Sequence, residues 1–169
     1  MIKKYIIFIF ITFFFNNISF SKKISGSTNT VEEPKAPIKM SDYNLALKYI
    51  KKGDKYDKKD KKKKAKKYYN KALKYLLLSN KKNHPHAKTF NYLGYINEKL
   101  GILENAEIYY LLGLDVDPKN NSIYINLGNL YVNSNRIAKA KEILNVLKSC
   151  SCEEFKELSN SIKLGASIY

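Results

Sequence analysis

Residues 90–118 read FNYLGYINEKLGILENAEIYYLLGLDVDP. Two helical runs are legible here, 87–100 and 104–115, divided by a turn at Gly101. Pro118 cannot continue the second run and closes the unit. Gly94 stands in the middle of the first run, where glycine costs about 1 kcal/mol relative to alanine. Such a cost recurs only if packing requires it, and it does recur. Sliding the chain by 34 residues lays Phe90 on Tyr124, Leu93 on Leu127, Gly94 on Gly128 and Ala106 on Ala140. Sliding the other way, with a 7-residue insert at Asn80 to His86, lays Tyr49 on Phe90, Gly53 on Gly94, Ala65 on Ala106, Tyr69 on Tyr110 and Ala72 on Gly113. The chain therefore holds three copies of one unit, 46–79, 87–120 and 121–154.

Each copy predicts a helix pair: 42–57 with 61–79, 87–100 with 104–115, and 121–134 with 137–149. The small residues Gly53, Gly94 and Gly128 on the first helices, and Ala65, Ala106 and Ala140 on the second, let neighbouring helices approach closely. Aromatic residues fill the space between layers. A last amphipathic stretch, 153–166, predicts a capping helix that turns Phe155, Leu158, Ile162 and Leu164 to the stack.

The pattern resembles the tetratricopeptide repeat family: a large residue, Leu-Gly, Tyr, Ala-x3-aromatic, Ala, Pro. The middle copy carries Phe90, Leu93-Gly94, Ala106, Tyr110 and Pro118, and departs at Asn97, where Tyr is expected. The third has Tyr124, Leu127-Gly128, Tyr131 and Ala140, with Leu144 for the aromatic and Cys152 for the closing proline. The first has Tyr49, Gly53, Tyr56, Ala65, Tyr69 and Ala72, with Lys52 for Leu and Leu77 for Pro. The resemblance implies an all-α, right-handed superhelical stack of helix-turn-helix repeats with a C-terminal capping helix. It implies a protein-binding scaffold and not an enzyme, with ligands along the concave face made by the first helix of each pair. The family's groove-facing positions fall on Leu47, Ile50 and Asp54, on Lys88, Asn91, Tyr95 and Glu98, and on Ser122, Ile125, Asn129 and Asn133. Such a face suits a peptide or a partner helix. One subfamily clamps a C-terminal carboxylate with Lys and Asn. The matching places carry Ile50, Asp54, Tyr92, Ser122 and Asn126, which lack the cations for that task.

The chain of 169 residues suffices for one domain with a core, and 7 Gly and 4 Pro disfavour a turn-rich all-β fold. Its start reads as a signal peptide, 1–21: Lys3-Lys4, an apolar run from Tyr5 to Phe15, then the small-x-small pattern Ser19-Phe20-Ser21. The run has about 11 residues, against roughly 20 for a membrane span. The expectation is a periplasmic or secreted protein; the alternative is an N-terminal membrane anchor. Residues 22–41, with Gly26, Pro34 and Pro37, read as a flexible leader before the repeat domain, 42–168.

The formal net charge is +16, and its distribution is uneven. Residues 48–82 hold 16 Lys against 3 Asp, whereas residues 83–169 hold 9 basic and 9 acidic residues. The basic patch is Lys58, Lys59, Lys61, Lys62, Lys63, Lys64, Lys66 and Lys67. It reads as a solvated helix face, or as a docking surface for an acidic protein or an anionic membrane. Nucleic acid is disfavoured, because export argues against it and Lys dominates where base readers favour Arg and stacking aromatics.

No motif for catalysis stands out, and no cofactor is implied. His84 and His86 flank Pro85 without third and fourth metal ligands at helical spacing. Asp115 and Asp117 sit at a helix end. Cys150 and Cys152 are too closely spaced for a thiol oxidoreductase motif, and could close a tight local disulfide, bridge two chains or stay as buried thiols. Asn120-Asn121-Ser122 is a formal glycosylation acceptor. Two functions compete: an exported adaptor within an envelope or surface assembly, and a self-associating subunit of a larger ring or collar.

Overall fold

The computed structural model describes residues 40–82, 86–150 and 152–166. The expected signal peptide, the leader up to residue 39, and His84 and Pro85 lie outside the described residues. Seven α-helices and one 3-10 turn make up the described structure: α1 (Asp42–Asp57), α2 (Lys62–Lys82), α3 (Ala87–Lys99), α4 (Leu103–Val116), α5 (Asn121–Asn133), α6 (Ile137–Leu147), the 3-10 turn (Lys148–Cys150) and α7 (Glu153–Ala166). No strand occurs among the described residues. The helices pack in sequence, α1 on α2, α2 on α3, and so on to α6, with α7 lying across α5 and α6. α2 runs three residues further than expected, into the insert, and α6 stops two residues early in the 3-10 turn. Ser41 and Asn120 cap α1 and α5, each accepting the backbone N–H three residues ahead at 3.2 Å.

The turn inside each repeat is built the same way three times. Asp60, Gly101 and Asn135 occupy equivalent places and have φ of 53°, 80° and 56°. The following N–H of Lys61, Ile102 and Arg136 reaches back to the carbonyls of Tyr56, Asn97 and Tyr131 at 2.9, 2.9 and 2.7 Å. The N–H of Asp60, Gly101 and Asn135 itself bonds the carbonyl three residues back. This paired closure is the Schellman arrangement, which satisfies the last carbonyls of the first helix. Asp, Asn and Gly are the residue types that tolerate the left-handed conformation it needs.

Glycine notches fix the helix pairs. A Cβ on Gly53 would lie 2.5 Å from the Tyr69 ring, and one on Gly94 would lie 2.5 Å from the Tyr110 ring. Both tyrosines are fully buried. The third repeat has no such aromatic. Leu144 is only half-buried, and the notch at Gly128 is filled instead by Leu158 of α7, 2.6 Å from a hypothetical Cβ. Leu158 and Ile162 are buried as expected of a capping helix, whereas Leu164 is 67% exposed. Asn97, where the repeat pattern expects Tyr, is buried, and its side-chain amide donates to the Leu93 carbonyl at 2.8 Å. Cys150 and Cys152 are joined by a disulfide between the 3-10 turn and α7, with Cα atoms 5.1 Å apart.

Candidate peptide-binding groove

The first helices of the repeats, α1, α3 and α5, line a groove of about 450 Å³ bounded by Leu47, Ile50, Lys51, Asp54, Asn91, Tyr92, Tyr95 and Asn126. Its α1 wall is the strip Leu47, Ile50, Lys51 and Asp54, spaced as one face of a helix. The floor mixes apolar surface and rings with two amides, one cation and one carboxylate.

Most polar groups here are tied to the neighbouring repeat. Asp54 Oδ1 accepts the hydroxyl of Tyr69 at 2.8 Å from its own repeat and that of Tyr95 at 2.7 Å from the next. Glu98 does the same one repeat further along, accepting Tyr110 at 3.1 Å and the Asn133 amide at 3.3 Å. Between them, Asn126 donates to Asn91 at 2.8 Å. The first repeat thus places Asp54 and Asp57, and the second Glu98, where each bonds both its own second helix and the following first helix. Burial, and then the bond to Asp54, push the phenols of Tyr69 and Tyr95 well above their ordinary range. Burial and Glu98 do the same to Tyr110. These tyrosines are neutral donors at physiological pH.

A further node joins α4 to the third repeat. Glu107 accepts from Tyr131 at 2.9 Å and Lys139 at 3.3 Å, and pairs with Arg136. Burial alone would raise the Glu107 carboxyl, but the bonds from Arg136, Tyr131 and Lys139 outweigh it and hold it below the usual range. Tyr131 is pushed up to about 12, by burial first and then by Glu107.

Of the residues expected in the groove, Leu47, Ile50, Asp54, Asn91 and Tyr95 line it together. Glu98 and Asn133 bond each other, and Asn129 is half-buried on α5. Ile125 belongs to the core with Leu127 and Tyr131 and is not among the residues that line this groove. Lys88 lines a second hollow of about 700 Å³ with Tyr43, His86, Val116 and Asn120, formed where α3 begins and α4 ends. Lys51 also lines the groove; it lies outside the expected set, although its place in the α1 strip is readable from spacing.

The expected basic patch lies in the turn after α1 and the first turns of α2. All eight lysines are exposed, and Ala65 is buried among them. Lys62 is bound to Asp57 at 2.9 Å, and that bond, reinforced by Lys99, lowers the Asp57 carboxyl. Among the described residues no group of three His, Cys, Asp or Glu is placed to hold a metal, and no helix is long and apolar enough to cross a membrane.

Stacked helix pairs with one small-residue notch per repeat and a groove along the first helices define a helical-repeat scaffold. The family model of the tetratricopeptide repeat matches residues 49–75, 87–120 and 122–145, and the chain belongs to that family. Among solved structures, the TPR2B domain of yeast Sti1 in complex with pHsp70 is similar at 16% identity, covering 74% of this chain and 98% of that domain with a TM-score of 0.51. The first TPR of Spaghetti (RPAP3), bound to the HSP90 peptide SRMEEVD, shares 19% identity over 76% of this chain and 95% of its own, with a TM-score of 0.48. The Arabidopsis OM64 TPR domain shares 18% identity over 73% and 98%, with a TM-score of 0.47. A search of curated proteins finds no match.

Proposed function

We propose that this protein is a non-enzymatic interaction scaffold, exported to the cell envelope or beyond, whose groove holds a peptide or helix of a partner. One observation carries the reading. The groove combines apolar and ring surface with amide and carboxylate groups already fixed by their neighbours, so it is pre-organised for an extended chain. The Sti1 domain of similar fold was solved with pHsp70. Here the carboxylate-clamping places carry Ile50, Asp54, Tyr92, Ser122 and Asn126. Lys51 also lines the groove, but Asp54 offsets its charge. The ligand is therefore an internal segment, not a free C-terminus. The Lys-rich first repeat adds a second contact, to an acidic partner or an anionic surface. Export rests on the Lys3-Lys4 start and the apolar run to Phe15.

The test is a displayed-peptide selection on residues 22–169, followed by affinity measurements with free and amidated C-termini. Selected peptides should bind equally in both forms and weaken about tenfold on Leu47→Glu or Tyr92→Ala. A requirement for the free carboxylate would reject this reading. Fractionation of the native cell, with the N-terminus of the mature chain sequenced, tests export.

A second reading, a self-associating structural subunit, is favoured by the outer face of α4. Ile108, Leu111, Leu112 and Val116 are 53, 48, 41 and 44% exposed along one stripe. A mass that stays monomeric at high concentration would remove it.

A further inference from the structure

Four tyrosines stack in a column along one side of the first repeat. The Tyr56 and Tyr68 rings lie 5.3 Å apart with planes 1° from parallel, Tyr68 and Tyr49 lie 6.2 Å apart at 24°, and Tyr49 and Tyr75 lie 5.5 Å apart at 16°. All four are half-buried. Lys52, Lys64 and Lys71 set their ammonium groups over Tyr68, Tyr56 and Tyr49 at 5.6, 5.7 and 5.4 Å. On α1, Tyr49 lies about 140° around the helix from Asp54, given 3.6 residues per turn. Asp54 is the residue bonded toward α3 through Tyr95. On α1 the column therefore lies on the side turned away from Tyr95 of the second repeat.

The second repeat shows what such a side is for. Phe90 and Tyr109 hold the places of Tyr49 and Tyr68, and stack at 6.4 Å and 22°. There Phe90 is only 7% exposed and packs in one core with Ala72 and Leu76 of the preceding helix α2. In the first repeat no helix among the described residues precedes α1. Among the described residues no helix precedes the column, and its Tyr49 place is one that a helix covers a repeat later, whereas Tyr109 stays half-buried at the place of Tyr68 and Val116 is 44% exposed at the place of Tyr75.

Its chemistry selects what covers it. The ring faces of Tyr49, Tyr56 and Tyr68 are taken up by one another, by Tyr75 and by the ammonium groups, so a nucleobase finds little free face on which to stack. What remains is ring edges, which carry the positive part of the aromatic quadrupole, and ammonium groups. Both favour carboxylates. The chain's own segment 22–39 carries Lys22, Lys23, Lys35 and Lys39 against Glu32 and Glu33, the same sign as the surface. A second copy brings a net charge of +16.

We propose that this side of the first repeat docks an acidic amphipathic helix of a partner protein, with small apolar residues on the tyrosine column and Asp or Glu reaching Lys52, Lys64 and Lys71. The proposal rests on the reading of the first repeat as a surface for an acidic partner and narrows it to one face; it does not depend on the groove.

The probe is a side-chain-bridged helical peptide with Ala and Leu on one face and Glu on both flanks. Its twin has Lys in place of Glu, and a single-stranded oligonucleotide and phosphatidylglycerol vesicles serve as rivals. Binding to residues 22–169 is measured for the native chain, for Lys52→Gln with Lys64→Gln and Lys71→Gln, and for a control of equal charge, Lys67→Gln with Lys74→Gln and Lys81→Gln. Lys74 and Lys81 line a separate hollow with Leu73 and Leu77. The expected result is binding of the Glu helix and not the Lys helix, weakened about tenfold in the column variant and less than about threefold in the control. Equal losses in the two variants would leave a diffuse basic repeat and sink the docking site alone. Preference for the oligonucleotide or the vesicles would overturn the acidic-helix partner. So would a concentration-dependent dimer that the Glu helix does not disperse. Groove peptides measured on the same samples separate this failure from failure of the groove.

Discussion

Leu158 of α7 sits in the notch of Gly128 on α5, the place that Tyr69 and Tyr110 occupy against Gly53 and Gly94 in the first two repeats. The capping helix is therefore part of the third repeat's core. Leu158→Ala should cost about 2–5 kcal/mol, the usual range for emptying a buried leucine site. Gly128→Ala should also destabilise, because the new methyl meets a fully buried side chain. Ending the chain after Cys152 should melt α5 and α6 while α1 to α3 keep their amide protection. Hydrogen exchange resolved by segment checks this, and full protection of α5 in the truncated chain would refute it.

Two of the three equivalent turns, at Gly101 and Asn135, make opposite predictions. Gly101 has φ 80°, and Gly101→Ala should lose about 1–2 kcal/mol although nothing lies near its Cβ. Asn135 has φ 56°, and Asn135→Gly should be neutral or gain up to about 1 kcal/mol. Thermal denaturation of both variants checks the signs. A stable Gly101→Ala protein would mean that the turn rearranges.

Asp54 should behave as a structural carboxylate that also faces the groove. Asp54→Ala leaves the Tyr69 and Tyr95 hydroxyls without their acceptor, at about 1–3 kcal/mol for the buried Tyr69 donor and less for the half-buried Tyr95, which lines the groove. Asp54→Asn keeps an acceptor and should lose less. Denaturant melts of the two variants, read alongside groove-peptide affinity, separate packing from ligand contact.

Two pH limits follow from the shifted groups. The Glu107 carboxyl is lowered in the folded chain, so its stabilisation is present above the ordinary value of 4.5 and is lost as pH falls through the folded value. Glu107→Gln should therefore be less stable than the native chain at neutral pH, and the gap should close well below 4.5. At the alkaline end, the phenols of Tyr69, Tyr95, Tyr110 and Tyr131 are raised. Stability is then full below the ordinary value of 10.0 and falls as pH climbs toward the folded values. Tyrosinate absorbance for these four should appear together with loss of helix. Their ionisation at the ordinary value with the helices intact would contradict the bonding described.

Salt should stabilise the first repeat. Residues 48–82 hold 16 Lys and 3 Asp, and Asp54 and Asp57 are already bonded. Raising ionic strength from about 0.01 to 1 M shortens the screening length from about 30 to 3 Å. The midpoint of unfolding and the amide protection of α2 should both rise. A fall would mean that the ion pairs outweigh lysine repulsion.

The sequence by itself determined the repeat, its period, the helix pairs and the places of the turns. Those features are local: a left-handed residue closes a helix at Asp60, Gly101 and Asn135 whatever surrounds it, and Gly94 with Tyr110 repeats as Gly53 with Tyr69. Only the tertiary structure decided which side chain fills Gly128, because Leu144 and Leu158 are both reasonable leucines and their distances depend on how α7 crosses α5. The same holds for the groove. Asp54, Tyr95, Asn91 and Asn126 stand as many as 72 positions apart in sequence, and Ile125 reads like a groove residue by its register. Whether such residues face a ligand, one another or the core is set by the rotation of each helix against the next, and packing alone fixes that rotation.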